Sequence, residues 1–396
     1  MTERLYYKDP TLLEFDAQIT ATGKYQDKFY VILDKTAFYP TAGGQPRDFG
    51  VLNDLNVIDV IEDDIGNIRH ITTAQVGGIG TKVHGGVDAD RRSHFRQLHT
   101  AQHILSRSFI NLFNYETVSV HLGEEYGAVE LGTESVLVEQ CHQAEKMSNQ
   151  LIQQNRTIDI IFVDEKAAAT LPLRKKPERS GIIRVIKIGD FDWSACGGTH
   201  CKATSEVGLI KVLGVEKLRG HALVKFLAGT RAREDYDARF VMTDLLTKSL
   251  TCSVADLPGR IEKLSEENKQ FRRQLNLLQQ QLLPIKVATL VEKAVPTGKF
   301  TIVCEEVQDI DSKMLSQLAG EVATKSSGIV ILLLEDRICL AAAESINLNA
   351  GEIVKRMAAK LNLKGGGSKQ IAQLGGVNSR DLPKYKEVLI SVLNEM

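Results

Sequence analysis

Two residue pairs constrain any fold this chain can adopt: His99 and His103 in the string HTAQH, and Cys196 and His200 in CGGTH. Each pair places two nitrogen or sulfur donors four positions apart, a donor chemistry that suits zinc better than calcium or magnesium. Residues 104–195 lie between the pairs, so a shared site of three histidines and one cysteine exists only if a whole domain brings them together. A compact zinc finger that folds locally around its metal is excluded.

The segment around the first pair favours a helix. Residues 89–113 contain neither Gly nor Pro, and Leu98, Ile104, Leu105 and Phe109 mark an apolar stripe. Positions i and i+4 share a helix face, so His99 and His103 point the same way. A helical His-x3-His is also the skeleton of a metalloprotease, whose general base is a Glu directly after the first His. Here that position is Thr100, and peptidase chemistry lacks its base. In the second pair, Gly197 and Gly198 allow the backbone to curl around a metal. Four protein ligands make a closed structural site, and three plus water make a catalytic one; the residue count leaves both open. Cys201, beside the second pair, is either a spare ligand or a small packed side chain.

The 396 residues, 43% hydrophobic, suffice for roughly two to four domains. The opening MTERLYYKDP has no signal-peptide character, and no stretch approaches the roughly 18 consecutive apolar residues of a membrane helix. The chain is therefore expected to be soluble and cytoplasmic. Cysteines at 141, 196, 201, 252, 304 and 339 show no disulfide-framework spacing, which fits a reducing compartment. The formal charge of -1 excludes a wholesale basic surface. Nucleic-acid contact would have to come from Arg91-Arg92 with Arg96, from Arg174-Lys175-Lys176, or from Lys217 with Arg219. Otherwise these are solvated faces.

Residues 14–88 alternate apolar and polar positions between GG, DD and GN turn signals, which predicts a small β domain. Inside it, Phe38-Tyr39-Pro40-Thr41-Ala42-Gly43-Gly44-Gln45, followed by Asp48 and Gly50, reads as a tight glycine-centred turn. After the histidine helix, strands are expected around a turn at Gly123-Glu124-Glu125, with a helix near 138–155 and strands near 157–163, 181–189 and 207–215. Leu257, Ile261, Leu264, Asn268, Phe271, Leu275, Leu278 and Leu282 form a heptad seam, predicting a coiled coil or helical hairpin that Pro284 ends. Asn268 either sets pairing register or faces solvent. FTIVCEEV, GIVILLLED and RICLAAAES alternate with helices near 311–325, 350–361 and 383–394, predicting an α/β domain with a mostly buried sheet. The run from Gly365 to Gly376 is too glycine-dense for a regular element. It serves close approach to a phosphate or ribose, or it is a flexible loop.

HTAQH and CGGTHC, preceded by FYPTAGGQPRDFG and followed by a heptad helix and a glycine-rich tail, resemble the long form of the AlaX family. These are free-standing relatives of the editing domain of alanyl-tRNA synthetase. The resemblance covers essentially the whole chain. It implies a multidomain α+β protein: a β-barrel-like glycine-motif domain (1–88), a zinc editing domain of the threonyl/alanyl-tRNA synthetase type (89–236), a coiled-coil segment (237–284) and a C-terminal DHH-associated α/β domain (285–396).

The same resemblance implies hydrolysis of serine, and of glycine, from tRNA(Ala) in trans. It makes His99, His103, Cys196 and His200 the ligands of one Zn2+ per chain. Thr41, Gly43, Gly44, Gln45 and Arg219 become candidates for substrate binding. In synthetase editing domains a polar residue, often Gln, follows on the next strand; this chain has Val118-Ser119-Val120-His121 there. Ser119 and His121 are accordingly the catalytic candidates, with a structural role for His121 as the alternative. A homodimer through the heptad helix and C-terminal domain is expected. The length leaves no room for an aminoacylation domain beside these segments, so alanine ligation is not expected. A rival reading is a non-catalytic tRNA-binding dimerisation module with a structural zinc; another is a metal-dependent hydrolase of small esters.

Overall fold

The computed structural model describes residues 1–175, 181–298 and 300–396. The chain separates into two compact units, Met1–Leu246 and Thr247–Met396.

The first unit opens with a two-residue strand, Glu3–Arg4, and a short helix, Leu5–Lys8, neither of which the sequence predicts, and then forms a closed six-stranded barrel. The barrel order is Glu14–Tyr25, Lys28–Leu33, Ile68–Thr72, Leu55–Glu62, Gly50–Leu52 and Lys82–Val87. Period-two patterning produces it: along Glu14–Ile19 exposed and buried residues alternate strictly, so Phe15, Ala17 and Ile19 enter a core with Val31, Leu33, Phe38 and Ile68. The glycine motif lies in the loop that connects barrel strands Lys28–Leu33 and Gly50–Leu52.

The predicted histidine helix runs Ala89–Phe113. The Asp88 side chain accepts from Arg91 N at its start, and Asn114 closes it in the left-handed conformation. Its apolar stripe packs on a four-stranded antiparallel sheet ordered Ile210–Leu218, His221–Ala228, Gly127–Leu131, Thr117–Leu122. A three-stranded antiparallel sheet, Ile158–Val163, Ile183–Ile188 and Asp192–Ala195, joins the same core. Phe95, Leu98, Leu105 and Phe109 are all buried there with Val129, Val224, Phe226 and Ile186.

In the second unit a six-stranded sheet carries helices on both faces. Thr301–Glu306 and Gly328–Leu334 are parallel, connected through helix Ser312–Ser326; the remaining pairs are antiparallel. Gly328–Leu334 is buried throughout, as its unbroken apolar run requires. Two separate apolar cores occupy the two faces.

The structure departs from two expectations. Pro284 does not end the heptad helix, which is continuous over Leu257–Glu292 with Pro284 inside it; the hairpin alternative is therefore not realised in that stretch. Proline removes one hydrogen bond and crowds the preceding turn, but Leu283, Val287 and Leu290 are buried against Leu315, Leu318 and Val303. That burial holds the helix through the defect. The glycine run is not irregular either: Lys364–Gly367 and Ile371–Gly375 form an antiparallel edge hairpin. A Cβ on Gly365 would stand 2.7 Å from Val354 Cγ1, and one on Gly367 would stand 2.3 Å from Ala372 Cα. These glycines allow helix Ala350–Leu361 and the neighbouring strand to approach closely.

Candidate metal and editing site

The fold gathers the two pairs. His99 and His103 extend from one face of helix Ala89–Phe113, and Cys196 and His200 lie on the segment leaving strand Asp192–Ala195. One donor atom from each of the four lies within 4.8 Å of all the others. Cys196 Sγ is 3.5 Å from His99 Nε2 and 3.3 Å from His200 Nε2. The three histidines are buried and the cysteine is partly buried.

Each imidazole has a partner on its Nδ1 side, each from a different part of the chain. His99 Nδ1 is 2.8 Å from Gln45 Oε1. His103 Nδ1 is 3.4 Å from Asp192 Oδ2, an electrostatic contact rather than a well-aligned hydrogen bond. His200 Nδ1 is 3.3 Å from Thr100 Oγ1. An outer partner on one ring nitrogen leaves the other for a metal. Thr100, standing where a protease would carry Glu, braces His200 instead; its hydroxyl also accepts from Cys201 N at 3.0 Å.

The electrostatics run the same way. Burial opposes a charge on Cys196, yet the neighbouring His99 and His200 outweigh it and hold the thiol well below its usual range. Burial, reinforced by His99, pushes His200 well below the ordinary imidazole value. A thiolate and a neutral imidazole are the ligating forms. Burial likewise disfavours a charged His103, but the Asp192 carboxylate and Cys196 raise it. Asp192, against its burial, is held low by His103 and Arg174. Cys201 is the packed alternative: it stays outside the cluster, and burial pushes its thiol up to about 12. Donor types, convergence and outer partners together fit one zinc ion.

Arg184 shapes the second pair's backbone. Its Nη1 donates to Cys196 O at 2.7 Å and Gly198 O at 2.9 Å, and its Nε donates to Tyr7 O at 3.0 Å. The sequence reading passed over Arg184 and did not connect Asp192 with His103. A lone arginine inside the apolar string IIRVIKI was the available signal for the first. Asp192 carried none, because its partner lies far away in sequence.

The glycine motif is a tight turn, as read. Ala42 and Gln45 exchange both backbone hydrogen bonds, and Gly43 and Gly44 have φ of 57° and 81°. Gly44 O accepts from Leu122 N at 3.2 Å, and a Cβ on Gly44 would sit 2.9 Å from Val120 O. Gln45 is fully buried and reaches His99 of the four-residue cluster, whereas Thr41 is exposed and accepts from Arg47 N at 3.2 Å. Ser119 and His121 lie on the exposed side of strand Thr117–Leu122. The Ser119 hydroxyl donates to Glu130, which also accepts from His221 Nδ1 at 2.6 Å. Arg219 sits on the exposed turn between Ile210–Leu218 and His221–Ala228, with φ of 49°. Among the described residues, none of Ser119, His121 and Arg219 hydrogen-bonds to the four-residue cluster. Lys176 of the basic string lies outside the described residues.

Residues 183–223 match the threonyl and alanyl tRNA synthetase second additional domain, 299–395 the DHHA1 domain, and 3–91 the tRNA synthetases class II (A) family. Over 389 residues the chain is 32% identical to the alanyl-tRNA editing protein AlaX-L of Pyrococcus horikoshii, spanning 94% of each. The chain belongs to the AlaX-L family of alanyl-tRNA editing proteins. It is also similar to the alanine–tRNA ligase of Archaeoglobus fulgidus, 29% identical over 100% of this chain and 44% of the ligase. For the ligase of Pyrococcus furiosus the figures are 27%, 99% and 43%. This AlaX-L family member thus spans less than half the length of these ligases. Among solved structures it is similar to the C-Ala domain of Aquifex aeolicus alanyl-tRNA synthetase, at TM-score 0.23 and 22% identity over 26% of this chain and 97% of that one. On this chain, the 183–223 match takes in Arg184, Asp192, Cys196 and His200, and the 3–91 match takes in Gln45 and Asp48.

Proposed function

We infer that this protein is a trans-editing aminoacyl-tRNA deacylase that hydrolyses Ser-tRNA(Ala), and Gly-tRNA(Ala) as well, at a site holding one Zn2+. The convergence of His99, His103, Cys196 and His200 within 4.8 Å carries the reading, and membership of the AlaX-L family supports its direction. A synthetase pocket shaped for alanine excludes larger side chains but rejects glycine and serine poorly, so a second, hydrolytic site supplies the missing discrimination.

A bound zinc ion supplies Lewis acidity and a fixed anchor beside the scissile ester. The chain's own residues do the rest. Cys196 and the three Nε2 atoms form the cradle, Gln45, Thr100 and Asp192 orient the rings, and Arg184 holds the carbonyls of residues 196 and 198. Ser119 and His121 are assigned to substrate and water on the exposed side of their strand. Thr41, Gly43 and Gly44 on the glycine turn, and Arg219 on its hairpin, are assigned to the aminoacylated acceptor end. The modules 1–88, 89–236, 237–284 and 285–396 divide this labour, the last two for tRNA binding and pairing. The apolar seam of helix Leu257–Glu292 supports a homodimer, since Ile261, Phe271, Leu275 and Leu278 are exposed in the single chain. No helix among the described residues is long and apolar enough to cross a membrane; we place the protein in the cytoplasm.

The test is deacylation of Ser-, Gly- and Ala-tRNA(Ala) with and without a chelator. Release of serine and glycine, sparing of alanine and loss with chelation are expected. Equal hydrolysis of all three, or of none with zinc present, overturns the reading. One observation favours a second reading, a tRNA-binding module with a structural zinc: the four converging protein donors are as many as a closed structural site uses. Cys196→Ala separates them. Lost deacylation with folding and tRNA binding intact supports catalysis, and global unfolding supports the structural role.

A further inference from the structure

The side-chain amide of Gln45 has a chemically fixed orientation. Thr199 N, which can only donate, lies 3.0 Å from Gln45 Oε1, and Gln45 Nε2 lies 2.8 Å from Thr199 Oγ1. The oxygen must therefore face Thr199 N, and the same oxygen is 2.8 Å from His99 Nδ1. An amide oxygen only accepts, so Nδ1 of His99 carries a hydrogen, and in the neutral ring, the ligating form, Nε2 is left bare. Nε2 is the atom that faces Cys196 Sγ.

We propose that Gln45, delivered by the glycine turn of the barrel, is a positioning residue that locks His99 in its metal-ligating tautomer and orientation. The inference rests on the reading that the four-residue cluster holds zinc. It gives the barrel a direct share in the metal centre.

Three independent features hold the pair in place. The mutual backbone bonds of Ala42 and Gln45 fix the base of the side chain. The absence of a side chain on Gly198 is required by the same contact: a Cβ there would stand 2.1 Å from His99 Cε1 and 3.0 Å from Gln45 Oε1. Finally, the same loop grips the same helix a second time, through Asp48 and Arg92. Arg92 and His99 are seven positions apart, about two helical turns and hence on one face. The loop therefore cannot shift without moving both anchors. Gln45 is fully buried and all its polar atoms are engaged by His99 and Thr199, so it acts through His99 rather than on substrate.

The experiment uses the full chain, stripped of metal. Zinc affinity is measured by competition with a chromophoric chelator for wild type, Gln45→Met and Gln45→Glu, and imidazole nitrogen shifts are recorded by NMR on metal-free protein. Methionine keeps the length and loses the acceptor; glutamate keeps the acceptor. His99 is expected in the Nδ1–H form in wild type. Zinc affinity should fall by roughly 10–100-fold in Gln45→Met and change by much less in Gln45→Glu. Wild-type affinity in Gln45→Met, or an Nε2–H tautomer of His99 in wild type, overturns the proposal. If Gln45→Met does not fold, the wild-type tautomer decides. A wild-type chain that binds no zinc instead overturns the metal reading itself, so the two failures are distinguishable.

Discussion

Arg92 and Asp48 form a fully enclosed ion pair between the histidine helix and the glycine-motif loop. Arg92 Nε lies 3.2 Å from Asp48 Oδ1, and its Nη2 meets Oδ2; both side chains are essentially without solvent contact. Nη1 donates to Pro10 O at 3.0 Å and Nη2 to Ala37 O at 2.5 Å, while Asp48 Oδ2 accepts from Tyr39 N at 2.7 Å. A charge pair removed from water is tolerable only when its remaining hydrogen-bond capacity is used this fully.

Removing one partner leaves the other charged, buried and alone. Asp48→Asn or Arg92→Met is expected to destabilise the first unit by about 3–5 kcal/mol, read as a drop in denaturant midpoint. A loss within the about 0–1 kcal/mol range of a surface pair would show that the pair does not anchor the loop.

Asp192 is the anionic neighbour of both His103 and Arg174. Asp192→Asn keeps the shape and removes the charge, and should weaken zinc retention by roughly 10–100-fold in chelator competition. In wild type the affinity should fall as pH is lowered, because protons compete for His103, whose pKa Asp192 raises. An unchanged affinity in the variant would remove Asp192 from the centre.

His70 lies fully buried in the barrel, where its Nδ1 donates to Val31 O at 3.3 Å and its Nε2 accepts from the Thr36 hydroxyl at 2.8 Å. Burial lowers its pKa from 6.5 to about 4, the Val31 bond opposing weakly. The folded pKa is depressed, so the unfolded chain binds a proton that the native chain refuses between these values. Stability is therefore full above the unfolded pKa and is lost as pH falls toward the folded one, by about 3 kcal/mol. Unfolding measured from about pH 7 to about pH 4.5 should show this decline in wild type and a shallower one in His70→Gln. Identical slopes would assign the effect elsewhere.

The proposed homodimer makes a prediction about the heptad helix. Phe271, Leu275 and Leu278 are 67%, 58% and 58% exposed in the single chain, an apolar stripe that pairing would cover. Leu275→Glu with Leu278→Glu should convert a wild-type dimer to monomer in sedimentation velocity while leaving helix content unchanged. A wild-type chain that sediments as a monomer would remove the dimer.

Much of this protein is written in local patterns. The helix Ala89–Phe113, the alternation of the barrel strands and the buried run Gly328–Leu334 follow from hydrophobic period and from where Gly and Pro are absent, because those signals act over a few residues. The spacing of His99 with His103 and of Cys196 with His200 named the four donors before any fold was known. Pro284 and the glycines at 365 and 367 were misread because their local penalties are outweighed by neighbours distant in sequence: a buried helix face in one case, a close-packed helix and strand in the other. Tertiary structure alone decided that the two pairs meet. It also decided that Gln45, Thr100 and Asp192, drawn from a barrel loop, a helix and a strand, stand behind the three imidazoles. A ring nitrogen's partner is set by a distance of a few ångströms in space, and no spacing along the chain records it.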